Sequence, residues 1–461
     1  MNMNVDILKP YLNGITAPTE LRAHTNYANT IMITQGNIIA NSQSDISGIF
    51  ARTYKDGVFG ASSCPGFSEE AIKTALRDAQ HNADIMALTS KNKNYKLPEI
   101  PRGFMPAHTK FVKHPQSYLL DFMTQLDAHI ANRYKDLASR TVHLIEQCTT
   151  VSLAVTDGFD VERVLPRVHI KIKLVTKDAN GAPVDITGTL GGGGLFADHF
   201  KNPSDYDEQL DTLYNMLMDK KDGVYAVAGE HDLILDSALA GILAHEAVGH
   251  TVESDLIRGG SIAKSCRNKR VGSDLVTLID FAHTALGETV PLPIYVDDEG
   301  TKAEDVVVIK DGILLDYMSN RFDAPLVGTT PKGNGRAFNY KDEPLVRMRN
   351  TCIMPGKDKL EDMIKSTEKG YYLISWGNGQ ADGTSEFMFG ITMGYEIKDG
   401  KLGKAIRDTT LSGVAFDMLK TVSMVGDTVK WAANGTCGKK QPMGNAMGGP
   451  ALKCRATLGG R

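Results

Sequence analysis

No two cysteines in this chain are spaced as CxxC, and only six occur in 461 residues, at positions 64, 148, 266, 352, 437 and 454. So few, scattered along so long a chain, do not make a disulfide framework or a paired zinc knuckle. Most read as small buried hydrophobes. Long apolar runs are missing too. The most apolar short stretch, residues 238–244, ends at a His-Glu pair and is far too brief to cross a bilayer. The start, Met1-Asn2-Met3-Asn4-Val5-Asp6, has no positive segment followed by an apolar core, so no secretory signal is expected and a cytoplasmic location is the default. A basic surplus is absent: Lys and Arg total 51 against 55 Asp and Glu, a formal charge of -4. That balance argues against a nucleic-acid partner, which needs clustered positive surface. The one local basic run, Lys264, Arg267, Lys269 and Arg270, reads as a solvated loop.

What is present is an ordinary globular composition, with 42% hydrophobic and 23% charged residues. The length suits two or three cores. Residues 48–60 carry aromatic and β-branched residues around Asp56-Gly57 and predict a hairpin. Ser68 caps a predicted helix with Ile72, Ala75, Leu76, Ala79 and Ala83 on one face. Residues 92–116, rich in Lys, Asn and Pro, read as a linker. A second helix is expected from Ser117, and a third near Ser204, where Ser204 and Asp207 resemble a capping box. Between them, Val168, Ile170, Ile172 and Leu174 alternate with polar residues as in a half-buried strand, and Asn180-Gly181 turns the chain back.

From about residue 223, short strands joined by Asp-Gly turns dominate, at Asp311-Gly312 and Asp399-Gly400. Helices interrupt these strands rather than alternate with them. The expected class is therefore α+β, with mixed, largely antiparallel sheets and packed helices. Three domains are expected: an N-terminal α/β domain with linker over 1–112, a central α+β domain over 113–222, and a C-terminal domain over 223–461.

The chemistry concentrates in residues 232–255. A short strand precedes Asp236-Ser237, a helix start, and the apolar face of Leu239, Ile242, Leu243 and Ala247 carries His245 and Glu246 into its last turns. Two histidines and a glutamate this close suggest metal-assisted hydrolysis. Neutral imidazoles hold Zn²⁺, the ion acidifies a water, and a carboxylate removes its proton. Glu246 is the candidate base. The spacing is unusual, because His245 and His250 are five residues apart. On an ideal α-helix they would point roughly 140° apart. The backbone between Glu246 and His250 is therefore expected to depart from α-helix, by a π-bulge or by ending at Gly249. Two histidines on a helix are also often no more than satisfied core residues. Residues 191–194, four consecutive glycines, lack the Lys-Ser/Thr of a phosphate loop and read as a flexible or close-packed loop or a plain turn.

These residues resemble a known family. His245-Glu246-Ala247-Val248-Gly249-His250 followed by Glu253-Ser254-Asp255 is similar to the signature of TldD/PmbA peptidases. The likeness continues through Asp297-Asp298-Glu299-Gly300-Thr301, the 306–315 hairpin, Gly333-Asn334-Gly335-Arg336, and Arg347-Met348-Arg349-Asn350-Thr351-Cys352 with Pro355-Gly356. It extends to the 387–394 strand and Cys437-Gly438-Lys439, and more loosely to Asn26-Tyr27-Ala28.

The resemblance implies one zinc ion in each active subunit, bound through His245, His250 and Cys437, with Glu246 in the base position. It implies a peptidase that cleaves small unstructured peptides held as an added strand. It also implies a homodimer, or a heterodimer with a metal-free relative. Two neutral histidines and a thiolate leave a fourth tetrahedral position for water, as catalytic zinc requires. Glu253, Asp255 and Cys266 compete as third ligand, and Glu253 has the alternative of orienting a histidine. The chain departs from the family pattern at Lys440-Gln441-Pro442, Thr251 and Ser254, which touches substrate preference more than metal binding. Two other readings stay open: an inactive modulator or interaction subunit, and a zinc amidase on a non-peptide substrate. Arg321, Arg336, Arg347 and Arg349 are further cleft candidates without an assigned role.

Overall fold

The structure, a computed structural model, describes residues 3–460. Its N-terminal half is built on long strands whose side chains alternate between a covered and an open face. They are β1 (Thr19–Thr34), β2 (Asn37–Lys55), β3 (Val58–Pro65), the short β4 (Gly103–Met105), β5 (Ser139–Val155), β6 (Phe159–Lys177) and β7 (Pro183–Gly193). They form one sheet in the order β3-β2-β1-β5-β6-β4, with β7 also on β6. Every pairing is antiparallel except β4 with β6. Strands from both sides of position 112 thus share one sheet.

The β2–β3 turn falls at Asp56-Gly57 as predicted, and both residues take positive φ. Ser68 caps the helix Glu69–Thr89 by accepting from the Ala71 amide. Ile72, Ala75, Leu76 and Ala79 of that helix pack against Leu21, Ile49 and Ala51. The helices Gln116–Arg133 and Asp207–Lys221 cover another stretch, with Leu119, Phe122, Leu126, Leu213 and Leu217 against Leu144, Ile170 and Ile172. Two expectations are corrected. Residues 92–116 are not a bare linker, since Gly103–Met105 pairs with β6. The capping box of the third helix lies two residues earlier, where Asn202 and Asp205 cap the 3₁₀ turn Pro203–Tyr206 that leads into it.

Beyond β8 (Gly229–Leu235) the pattern changes to shorter strands in two larger sheets. One runs, in order, through Ile313–Leu314, Val306–Lys310, Leu278–Phe281, Asn350–Ile353, Met443–Gly449 and Lys430–Cys437. The other places β8 between Lys369–Ala381, which it meets in parallel, and Leu452–Leu458. The helix Ser237–Ile242 leaves β8 and lies between these sheets, where Leu239, Ala240, Ile242 and Leu243 join the largest hydrophobic core. The architecture is α+β with mostly antiparallel sheets, as expected. No helix among the described residues is long and apolar enough to cross a membrane.

The glycines at 191–194 form no phosphate cradle. Gly191–Gly193 end β7, and Gly193 lies so close to Pro291 that a Cβ would stand 1.8 Å from the Pro291 carbonyl oxygen. The run is a close-packed joint between the first sheet and the C-terminal half.

Candidate metal centre

The helix from Ser237 does not stay α. It is α over Ser237–Ile242, π over Leu243–Gly249, and 3₁₀ over His250–Val252. A π-helix closes its bonds between residues five apart, so it brings residues spaced like His245 and His250 near one another along its axis. Their rings lie 5.4 Å apart, centre to centre. The irregularity expected between Glu246 and His250 is present, and it begins earlier, at Leu243. Gly249 contributes by its missing side chain, since a Cβ would lie 2.1 Å from Met348 Sδ and 3.2 Å from the Ala244 carbonyl oxygen.

Cys437 arrives from the end of the strand Lys430–Cys437, a distant part of the chain. One ring nitrogen of each histidine and the Cys437 sulfur lie within 4.8 Å of one another, a group that could hold a metal ion. Cys437 Sγ is 3.1 Å from His250 Nε2. The Glu246 carboxylate stands beside them, 3.5 Å from His250 Nε2 and 3.9 Å from His245 Nε2. Glu246, His250 and Cys437 line a cavity of about 440 Å³ together with Gly379–Gly383 and Thr436 to Lys439. His245 lies deeper, 1% exposed.

The surroundings set the charges. Burial pushes the His245 imidazolium well below its usual range, and His250 adds to this, so His245 is neutral. Burial also pulls against a charge on His250, but Glu253 and Cys437 outweigh it and lift the ring to about 10. Burial works against the Cys437 thiolate, yet the hydrogen bond and charge of His250 bring its pKa below the ordinary thiol value. Burial raises the Glu246 carboxyl. His245 already has the neutral form zinc takes and Cys437 leans toward its thiolate, while His250 would give up its Nε2 proton to the incoming ion; two nitrogens with one sulfur suit zinc's borderline softness. The donor set fits zinc.

Glu253 faces the other side of His250. Its Oε2 accepts from Nδ1 at 2.9 Å, which fixes the ring with Nε2 toward Cys437. Lys439 Nζ bridges Glu253 at 3.1 Å and Asp255 at 2.8 Å. Glu253 is fully buried, and the neighbouring cations outweigh burial to hold it down at about 2. Cys266 lies in the 3₁₀ turn Ile262–Cys266 and is not among the grouped donors.

Three residues of this site have roles that the sequence did not assign, although Arg347 was among its four cleft candidates. Arg347, 1% exposed, donates to the carbonyls of Cys437, Lys439 and Gln441 at 2.8, 2.9 and 2.7 Å and so holds the cysteine loop. Gln441 anchors the same loop by accepting from the Phe338 amide and donating to the Glu343 carbonyl. Asn445 Nδ2 lies 3.3 Å from His245 Nε2. The Arg347-Met348-Arg349 block marked the neighbourhood, but nothing in its spacing tied it to residue 437.

Arg349 forms a fully buried pair with Asp280 at 2.8 Å, a structural role. Arg321 reaches Asp157 at 2.6 Å. In the basic run, Arg267 is tied to the carbonyls of Leu315, Val327 and Gly328, so it straps a loop rather than standing free.

Fold and donor set together define a protein with a buried His-His-Cys candidate metal centre on an α+β frame. Family models match on both halves: the PmbA/TldA metallopeptidase C-terminal domain over residues 228–458, and PmbA/TldA metallopeptidase domain 1 over residues 19–83. The chain belongs to the PmbA/TldD metallopeptidase family. It is 34% identical over 321 residues to a metalloprotease TldD homolog of Buchnera aphidicola, covering 67% of this chain and 65% of that one. It is 32% identical over 252 residues to a zinc metalloprotease TldD homolog of Saccharolobus solfataricus, covering 54% of this chain and 56% of that one. The chain thus spans about half to two thirds of the length of these curated relatives. In fold it is similar to TldE from Thermococcus kodakarensis, with a TM-score of 0.72 at 16% identity over 98% of both chains.

Proposed function

We propose that the chain is a zinc-dependent peptidase with His245, His250 and Cys437 as ligands and Glu246 as general base. The observation that carries this is the convergence of three donor atoms within 4.8 Å beside the Glu246 carboxylate. A zinc ion held there supplies Lewis acidity, acidifying a water and polarising a carbonyl. Glu246 removes the proton of the attacking water and delivers it to the leaving amine, and its raised pKa suits both halves of that transfer. Glu253 holds the His250 ring in place through Nδ1. The neutral state of His245 leaves it ready to donate without first losing a proton.

The substrates are small unstructured peptides. Lys430–Cys437 is an edge strand, and no strand pairs with its outer side among the described residues. Its outer edge offers an extended peptide a partner that leads toward Cys437, with the carbonyls of Gly435 and Cys437 themselves held by Arg167 and Arg347. The working unit is a cytoplasmic dimer, of this chain with itself or with a metal-free relative. The complete donor set favours an active subunit over a vestigial one.

Glu246→Gln is the test. Expected are full zinc content by metal analysis and a loss of about 10²–10⁴-fold in cleavage of a mixed peptide pool. Unchanged cleavage by the variant would remove Glu246 as base, and absence of zinc and of cleavage in the unmutated protein would remove the function.

A further inference from the structure

A second cavity, of about 160 Å³, lies on the other side of the loop that carries Cys437. The segments on either side of the turn that follows Cys437 line both spaces: Thr436 and Cys437 face the first cavity, Met443 and Gly444 the second. Three arginines, Arg163, Arg167 and Arg336, line the second cavity, with Leu165 and Phe338 as apolar wall. Its only lining carboxylate is Asp298. That group is already engaged by Arg163 at 2.5 Å and by the Ala337 amide at 2.9 Å.

Arg167 and Arg336 are 8% and 4% exposed, and neither forms an ion pair among the described residues. Their partners are neutral. Arg336 donates to the carbonyls of Met348 and Gly444, and Arg167 to Gln147 Oε1, the Gly435 carbonyl and Thr436 Oγ1. Burial pulls Arg167 down to about 10 and Arg336 to about 9. A buried guanidinium without a close ion-pair partner is costly, and although Asp298 and Asp280 act on Arg336 from a distance, two such groups on one cavity favour an anion. The space equals roughly five water volumes at about 30 Å³ each, which admits a carboxylate with a short chain. A planar guanidinium fork matches a carboxylate in bidentate fashion, and the apolar wall suits the adjoining side chain.

We propose that this second cavity binds the free α-carboxylate of a small peptide through Arg167 and Arg336, a site that rests on the peptidase reading for its ligand. Because Arg167 also holds the carbonyl of Gly435, two residues before Cys437, an occupied cavity stiffens the strand that presents the cysteine.

The test is calorimetric titration of the zinc-loaded protein with N-acetylalanine, its C-terminal amide and inorganic phosphate. Expected is saturable binding of the acid, at least tenfold weaker binding of the amide and of phosphate, and a tenfold or greater loss for the acid in Arg336→Met. No saturable binding of acid or phosphate overturns the site. Equal binding of acid and amide, or phosphate binding as tightly as the acid, overturns the carboxylate assignment. Unchanged binding of the acid in a folded Arg336→Met places the anion elsewhere and also overturns it. If Arg336→Met does not fold, the comparison of acid with amide on the unmutated protein decides by itself. Binding of the acid by a protein that cleaves no peptide would leave this site standing and the peptidase reading fallen.

Discussion

Serine in place of Cys437 changes one atom, yet it removes the donor that joins two distant parts of the chain. The hydroxyl of serine stays protonated near neutral pH and is a harder donor, whereas the sulfur here already sits 3.1 Å from His250 Nε2 and favours its thiolate. Cys437→Ser is expected to lower zinc affinity by about 10²-fold or more, taking a lost ligand as at least as damaging as a lost supporting residue. Metal content after gel filtration checks this, and full retention of zinc would end the assignment of Cys437. At the same scale, Glu253 stands outside the group of three candidate donors. Its carboxylate is spent on His250 Nδ1 and Lys439, on the far side of the ring from the thiol. Sequence made Glu253 and Cys437 competitors because both are plausible donors. The folded geometry separates them by which nitrogen of His250 each one meets.

At the scale of elements, the π segment Leu243–Gly249 turns an awkward spacing into a usable one. It exists where Gly249 lets Met348 approach, so Gly249→Ala should cost about 1–3 kcal/mol through overpacking. A lowered thermal midpoint together with reduced zinc content is the expected result, and an unchanged protein would show that the contact with Met348 adapts freely. The five-residue spacing was legible as a broken helix, since the geometry of an α-helix forbids the alternative. Its starting point at Leu243 was not legible, because it depends on contacts with residues a hundred positions away.

The strand β5 holds a second element-scale feature. Glu146, 2% exposed, has one oxygen without a hydrogen-bond partner among the described residues, and its other oxygen receives a long bond from Tyr27 at 3.4 Å. Burial raises it to about 7 from the ordinary 4.5. Between those values the folded chain keeps a proton that the unfolded chain has lost, so stability falls as pH rises through that window. Glu146→Gln should flatten this dependence and add on the order of 1–3 kcal/mol above pH 7. Thermal midpoints of both proteins from pH 4.5 to 8 test it, and parallel curves would exclude Glu146 as the cause.

For the whole molecule, the joint between the first sheet and the C-terminal half matters most. Gly193 at the end of β7 meets the backbone of Pro291, which cannot yield as a side-chain tip can. Gly193→Ala is expected to cost about 3 kcal/mol, at the upper end of overpacking, and to lower the denaturation midpoint without removing the metal donors. Wild-type stability in that variant would mean the two halves shift apart at little cost. Nearby, Arg347 works across the same distance scale, tying the loop at residues 437–441 to the strand region around residue 346 through three carbonyls.

The sequence by itself determined the local elements and where the candidate site begins. Alternating apolar residues, Asp-Gly turns and the Ser68 cap act over a few residues, so the β2–β3 hairpin at Asp56-Gly57, the helix Glu69–Thr89 and the α+β class could be read directly. The His245-Glu246 pair and its spacing to His250 likewise pointed to a candidate metal site and a candidate base. The tertiary structure alone decided what meets what. It placed Cys437 on His250 across 187 residues, set Glu253 behind the ring, and left Arg167 and Arg336 buried on a cavity without a carboxylate partner. Those relations depend on sheet pairings between segments far apart in the chain, which carry no periodic signal in either segment alone.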